Sequence, residues 1–219
     1  MSISENIKAF NADLPSAVTL VAVSKTKPAS DILEAYQAGQ RVFGENKIQE
    51  MAAKWEELPK DIQWHMIGHV QTNKVKYMAS FVNLIHGVDS LKLLKEINKQ
   101  ALKHNRTIDC LIQLKIATEE TKFGLPASEL AALLEEKQNL GLNNVNVIGL
   151  MGMASFTANK QQIAQEFGRL KENFDTHKES HNFSVLSMGM SGDYKLAIKL
   201  GSTMIRVGSA IFGARNYQQ

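Results

Sequence analysis

The residues best able to do chemistry stand at the ends of apolar runs. Thr19-Leu20-Val21-Ala22-Val23 leads into Ser24-Lys25-Thr26-Lys27-Pro28, so a lysine follows an almost wholly apolar segment. An ammonium poorly reached by water shifts toward the neutral amine, the form that attacks a carbonyl to make a Schiff base. The chain has 20 lysines, and most lysines only solvate a surface, so the signal is the position of Lys25 and not its type. Lys27 competes for the same role. Toward the other end, Ser187-Met188-Gly189-Met190-Ser191-Gly192-Asp193 and Gly201-Ser202-Thr203-Met204-Ile205-Arg206-Val207-Gly208-Ser209 bring hydroxyls, small residues and exposed amides to two turns. With a helix starting at Ser191, such turns suit a phosphate. Arg206 lies within an apolar run and therefore needs a partner, either a buried carboxylate such as Asp193 or a ring nitrogen or oxyanion of a ligand.

Two further polar candidates, Asn46 and His69, follow Phe43-Gly44-Glu45 and Trp64-His65-Met66-Ile67-Gly68. Their plainer roles are a helix cap and a solvated turn. His65 and His69 are four apart, but in a strand-and-turn stretch with no HExxH and no Cys-rich pattern, so no metal is expected. GxGxxG, GxxxxGK and GxSxG are missing as well, which removes the usual signs of dinucleotide, nucleoside-triphosphate and serine-hydrolase sites.

Something must bring these scattered groups together. Short runs rich in Val, Ile and Leu recur at Val18–Val23, Arg41–Phe43, Ile62–Ile67, Phe81–Ile85, Ile108–Ile116, Val145–Met151, Phe183–Met188 and Met204–Val207, eight strand signals. Helix-period segments lie between them. Ser30 and Asp31 open one that Gly39 closes; Ser90, Ser128 and Ser191 precede others; Ile163, Phe167, Leu170 and Phe174 share a face; weaker signals occupy Asn46–Glu57 and Thr72–Ala79. Alternation of this kind implies right-handed βαβ crossovers and a parallel sheet, and eight units predict a closed (β/α)8 TIM barrel, an α/β fold, with an open doubly wound sheet as the alternative. Either way, function collects at the carboxyl ends of the strands. No linker or repeat interrupts residues 1–219, so one domain is expected. Lys plus Arg number 25 and Asp plus Glu 22, a net charge of +3 without a basic stripe, which gives no nucleic-acid footprint. The lone Cys110, in an apolar run, and the lack of a signal peptide or membrane-length apolar run predict a cytoplasmic protein with no membrane partner.

The string Ala22-Val23-Ser24-Lys25-Thr26-Lys27-Pro28 closely resembles the pyridoxal phosphate (PLP) homeostasis protein family, single-domain relatives of the alanine-racemase barrel. So do Phe43-Gly44-Glu45-Asn46 with Gln49-Glu50, Trp64-His65-Met66-Ile67-Gly68 with Gln71-Thr72-Asn73-Lys74, Gly149-Leu150-Met151 and the two Ser/Gly turns. The resemblance spans essentially the whole chain. It implies a fold-type-III PLP barrel in which Lys25 holds the cofactor as a Schiff base, Arg206 faces the pyridine nitrogen, and Ser191, Gly208 and Ser209 hold the phosphate. Asn46 completes the candidate cofactor contacts. An Arg beside that nitrogen leaves it unprotonated and weakens the ring as an electron sink. The sequence departs from the family in a short segment before the first strand and in Gly152-Met153-Ala154-Ser155-Phe156, which lacks the usual proline.

An amino-acid racemase needs an acid/base group on each face of its cofactor. In the racemases this barrel resembles, the second group is a tyrosine from an additional β-domain of the partner subunit. Here the only tyrosines are Tyr36, Tyr77, Tyr194 and Tyr217, and none directly follows a strand. The expectation is therefore a monomeric carrier, not an enzyme and with no catalytic residue, that stores, buffers or delivers PLP. Amino acids or the lysine of an apo PLP enzyme would act as acceptors, and Lys27 or Lys74 would assist release. A slow PLP-dependent racemase is the alternative; a barrel enzyme for a phosphorylated metabolite without PLP is the third reading.

Overall fold

A computed structural model describes residues 2–119 and 123–213. Eight parallel strands close into a barrel in the order β1 to β8: β1 (Thr19–Val23), β2 (Val42–Glu45), β3 (Gln63–Met66), β4 (Leu84–Val88), β5 (Ile108–Gln113), β6 (Val145–Met151), β7 (Val185–Ser187) and β8 (Met204–Val207). Closure is made by β1 on β8, with Thr19 paired to Met204 and Ala22 to Val207. The open-sheet alternative is thereby excluded. Around the strands stand α1 (Ile3–Asp13), α2 (Ala29–Gln37), α3 (Ile48–Glu57), α4 (Leu91–Lys103), α5 (Leu130–Asn139), α6 (Lys160–His181), α7 (Tyr194–Lys199) and α8 (Ser209–Phe212).

Strand alternation sorts side chains into two cores. Val21, Leu84, Leu111, Met151 and Met204 point inward and form a small cluster inside the barrel. Their neighbours in sequence, such as Ala22, Ile85, Cys110, Leu150 and Ile205, join the larger layer between strands and helices. The same parity, continued two residues toward the carboxyl end, puts Lys25 above Val21 and Val23, and Arg206 above Met204.

Several expected boundaries move. Phe81 and Val82 precede β4 instead of starting it, β5 ends at Gln113, and Thr72–Tyr77 forms a 3-10 helix, not an α-helix. The α7 helix starts at Tyr194 and has six residues, so the turn carrying Ser191 precedes it. The short segment before β1 holds a helix of its own, α1. Its capping box, in which Ser2 and Glu5 bond each other's amides, and its Ile3, Ile7, Phe10 spacing are signals present in the sequence. A register shift between Cys110 and Leu111 pairs Leu111 with Gly149. Gly149 has φ of 157°, and a Cβ there would stand 1.8 Å from the Val185 carbonyl oxygen, so the close approach of β6 and β7 requires glycine. None of the described helices is long and apolar enough to cross a membrane.

Candidate functional site

At the carboxyl ends of the strands the barrel opens into a cavity of 620 Å³. Every site candidate named from sequence lines it: Lys25, Asn46, Ser191, Arg206, Gly208 and Ser209. Lys27 and His69 line it too, and Lys74 does not. The expected help from Lys74 is corrected accordingly: its ammonium lies 5.7 Å from the Tyr77 ring on the 3-10 helix.

Lys25, half-buried, stands in the turn after β1, and an ion cluster grips the residues on both sides of it. Lys54, on α3, donates to the Ser24 carbonyl (2.9 Å), to Glu45 Oε1 (2.8 Å) and to Glu50 Oε1 (2.7 Å). The Ser24 hydroxyl donates to Glu45 Oε1 (2.6 Å) and the Thr26 amide to Glu50 Oε1 (2.6 Å). Thr26 has φ of 65°, a left-handed conformation that a β-branched residue adopts only when surrounding bonds enforce it. Burial holds the Glu45 carboxyl above the usual range in spite of Lys54 and Ser24. At Glu50 burial acts in the same sense, but the bonds from Lys54 and Thr26 outweigh it and the pKa is lowered. Lys27 is tied elsewhere, donating to the Phe212 carbonyl of α8 (2.7 Å).

Across the cavity floor, Arg206 is buried without a carboxylate partner among the described residues. The pairing with Asp193 weighed from sequence is not formed. Nη1 donates to the Ser187 carbonyl (3.0 Å) and hydroxyl (2.5 Å), and Nη2 to the Gly152 carbonyl (3.1 Å). Burial lowers the Arg206 pKa to about 10, opposed by the Asp193 charge, so the group stays cationic at neutral pH. Asp193 instead accepts the Met190 amide (2.5 Å) and shapes the turn after β7. Ser191 Oγ accepts the Gly208 amide (3.3 Å), which joins the β7 and β8 turns into one small-residue rim.

Asn46 does not cap α3, whose N-cap is Lys47; its Oδ1 is buried with no donor. His69 is not a bare turn residue: it stacks on Phe123 at 4.4 Å between centroids and its Nδ1 lies 3.4 Å from Asp89. Phe123 and Phe156, 56% and 95% exposed, flank the mouth. The loop lacking the family's proline is pinned by Glu166 of α6, whose carboxylate accepts the Ser155 amide and hydroxyl, both at 2.7 Å. Sequence reading misses Lys54, Glu166 and His86. Lys54 lies four residues after Glu50, a spacing that could reveal it; His86 carries no local signal. Of the tyrosines, Tyr36, Tyr77 and Tyr194 do not line the cavity, and Tyr217 lies outside the described residues. Burial pushes the Cys110 thiol up, which suits a structural and not a nucleophilic residue.

The model of the alanine racemase N-terminal domain matches residues 1–216. The pyridoxal phosphate homeostasis protein of Aquifex aeolicus is 42% identical over 201 residues, covering 90% of this chain and 87% of its own, and that of Escherichia coli is 38% identical, covering 94% and 89%. PipY of Synechococcus elongatus, solved with PLP bound, superposes with a TM-score of 0.87 at 35% identity, covering 97% of this chain and all of that one. Alanine racemase of Clostridium difficile, 12% identical with a TM-score of 0.77, shares the fold, and the match spans 58% of its chain. A closed barrel with this lysine turn and this double Ser/Gly rim, at such identity along nearly its full length, makes the chain a member of the pyridoxal phosphate homeostasis protein family.

Proposed function

We propose that this barrel, a single domain, binds pyridoxal 5'-phosphate reversibly on Lys25 and holds it for storage or delivery within the cytoplasm, without catalysing a reaction. The observation that carries the reading is that Lys25, Arg206 and the Ser191, Gly208, Ser209 rim converge on one cavity. The chain's residues fit the ligand. Small residues and the α8 amides suit a phosphate. Arg206 has five N–H groups and spends three on protein acceptors, which leaves donors for a ring nitrogen. Asn46 brings a buried acceptor that lacks a donor.

When bound, the cofactor supplies an aldehyde carbon that condenses with a primary amine, losing water, and exchanges to another amine by the same reversible chemistry. The ion cluster aims Lys25, and Arg206 holds the opposite end as a donor only. Two titratable groups at the cavity are held by the backbone: Lys27 by the Phe212 carbonyl and Asp193 by the Met190 amide. This favours a carrier over a racemase, since a racemase needs a second proton-transfer group poised on the opposite face. Free amino acids and the lysines of apo PLP enzymes are the proposed acceptors, with the protein acting as a monomer.

The test begins with a spectrum. Protein incubated with PLP should turn yellow, and borohydride should fix the cofactor on Lys25, with the adduct lost in Lys25→Ala and kept in Lys27→Ala. Arg206→Ala should weaken binding. An adduct on Lys27, or no chromophore at all, overturns the assignment. Loaded protein should restore an apo PLP enzyme faster than spontaneous dissociation allows. Deuterium exchange at Cα of single amino-acid enantiomers in heavy water would instead make the protein a racemase.

A further inference from the structure

A string of buried polar groups crosses the barrel interior beneath the cavity. His86 of β4 places Nδ1 3.1 Å from the Ser187 hydroxyl of β7 and Nε2 3.1 Å from His65 Nδ1 of β3, and Ser187 Oγ also receives Arg206 Nη1 of β8. His86 and Ser187 are fully buried, His65 and Arg206 nearly so. Polar side chains buried beside the inner cluster of Val21, Leu84, Leu111, Met151 and Met204 are tolerated when they pair with one another.

The direction of the string follows from donor chemistry. A guanidinium only donates, so Ser187 Oγ accepts from Arg206. The serine proton must then go to a second acceptor, and His86 Nδ1 is the group within reach. His86 therefore carries its proton on Nε2 and donates it to His65 Nδ1, which places the His65 proton on Nε2 as well. Burial keeps both rings neutral, His65 at a pKa of about 3 and His86 well below its ordinary value, lowered further by His65 and Arg206.

We propose that Ser187, His86 and His65 are positioning residues for the ligand end opposite Lys25: a one-way donor string that fixes Arg206 and leaves its Nε–H and one Nη2–H for an acceptor-only ring nitrogen. The string holds Nη1 on both of its hydrogens, one to the Ser187 carbonyl and one to its hydroxyl, while Gly152 takes one from Nη2. The guanidinium plane is thus set from two neighbouring segments, the end of β7 and the residue after β6. Neither histidine touches the cavity, so each acts on the ligand only through Arg206. The ligand half of this inference rests on the proposed PLP site; the tautomer half does not.

Histidine-directed ¹⁵N spectra of the unloaded wild-type protein decide the string itself. Both His65 and His86 should be neutral with the proton on Nε2, and an Nδ1–H ring at either position overturns it. Ser187→Ala should release the His86 tautomer and raise the Kd for PLP about tenfold, with a shifted visible band; Ser187→Thr, which keeps the hydroxyl, should restore all three. His86→Phe should raise the Kd in the same direction. Unchanged Kd and band in both Ser187→Ala and His86→Phe would reduce the histidines to core filling. If wild-type protein takes up no PLP, the proposed function falls and the tautomers still decide the string. Should Ser187→Ala fail to fold, the Kd and band of His86→Phe decide the ligand half and the wild-type spectra decide the string.

Discussion

Replacing Lys54 by methionine isolates the cluster that grips the Lys25 turn. Glu45 is fully buried and Lys54 nearly so, with the ammonium 2.8 Å from Glu45 Oε1. At that distance and an effective dielectric of about 20, unit charges attract by roughly 6 kcal/mol. The Ser24 hydroxyl bond remains in the variant, and methionine fills most of the vacated volume. The net loss is therefore the cost of a buried carboxylate stripped of its counter-charge, about 3 to 5 kcal/mol. With a urea m-value of about 3 kcal/mol per molar, the midpoint should fall by about 1 to 1.7 M, read from the fluorescence of Trp55 and Trp64. Loss of the charge raises an already raised Glu45 pKa. A carboxyl whose folded pKa exceeds its unfolded value favours the folded state below the unfolded pKa and loses that benefit as pH rises through the folded pKa. The variant should thus regain stability as pH falls below neutral toward the ordinary carboxylate range, and Glu45→Gln added to Lys54→Met should abolish the regain and recover most of the loss. The turn that carries Lys25 also loosens, so PLP affinity should drop about tenfold, or 1.4 kcal/mol. A loss under about 1 kcal/mol, the range of a solvated surface pair, with no pH-dependent recovery would refute the buried-cluster reasoning.

Two further outcomes are open to direct measurement. His65 and His86, held neutral by burial, have folded pKa values below the unfolded one, so their contribution to stability is present above about pH 6.5 and lost as pH falls. Between about pH 7.5 and 5 His65 should cost about 2 kcal/mol, with His86 adding in the same direction; the double variant His65→Gln/His86→Gln should flatten that acid slope, and an equal slope in both proteins would show the rings titrating normally. Gly149→Ala, which drives a Cβ to 1.8 Å from the Val185 oxygen, should destabilise by about 3 kcal/mol or more. Gly168→Ala on α6, where no atom lies within 4 Å of the added Cβ, should gain up to about 1 kcal/mol, and similar urea midpoints for the two would contradict the strand-approach argument.

The barrel is legible because each strand is a short Val, Ile or Leu run and each helix repeats at 3.6, so unit count alone leads to eight. The inward parity of each strand is legible as well: Val21, Val23 and Lys25 alternate on one face, which is why a lysine two residues past an apolar run marks the mouth. What escapes has a common physical cause. Lys54 and Glu45 meet between a helix and a strand, Ser187 and Arg206 come from neighbouring strands, and His86 lies 101 residues before Ser187, so these pairings exist only once the elements pack together. Arg206 does need partners, as its apolar surroundings imply, but two of the three it finds are the carbonyls of Ser187 and Gly152, and backbone acceptors leave no trace in sequence. The α1 helix is different: its capping box and apolar spacing are there to be read, and only the weak apolarity of its face makes the signal faint.

The two buried clusters differ in a way that matches what each must support. Around Lys25 the grip is ionic and lies outside the strands, between β2 and α3, where Lys54 reaches the Ser24 carbonyl and the Glu50 carboxylate holds the strained Thr26 amide. These bonds fall on the residues before and after Lys25, so they fix the backbone from which the side chain starts. The four-carbon stem beyond that point is intrinsically flexible, and it is the part that the proposed exchange between amines has to move. Around Arg206 the grip is neutral and lies inside the barrel, where a carboxylate would pair the guanidinium directly and draw its hydrogens away from the cavity. A serine and two neutral histidines fix the plane without neutralising the charge. A rigid donor at one end and a long flexible stem at the other would let a ligand be held in one orientation and yet handed on, as the proposed carrier role requires. A buried acid in the place of Ser187 would create the opposite arrangement: it would tie up the guanidinium and free the ring nitrogen to accept a proton. Ser187→Asp should therefore lose affinity for PLP by more than Ser187→Ala does, and equal losses would show that Arg206 is not the donor the ring end depends upon.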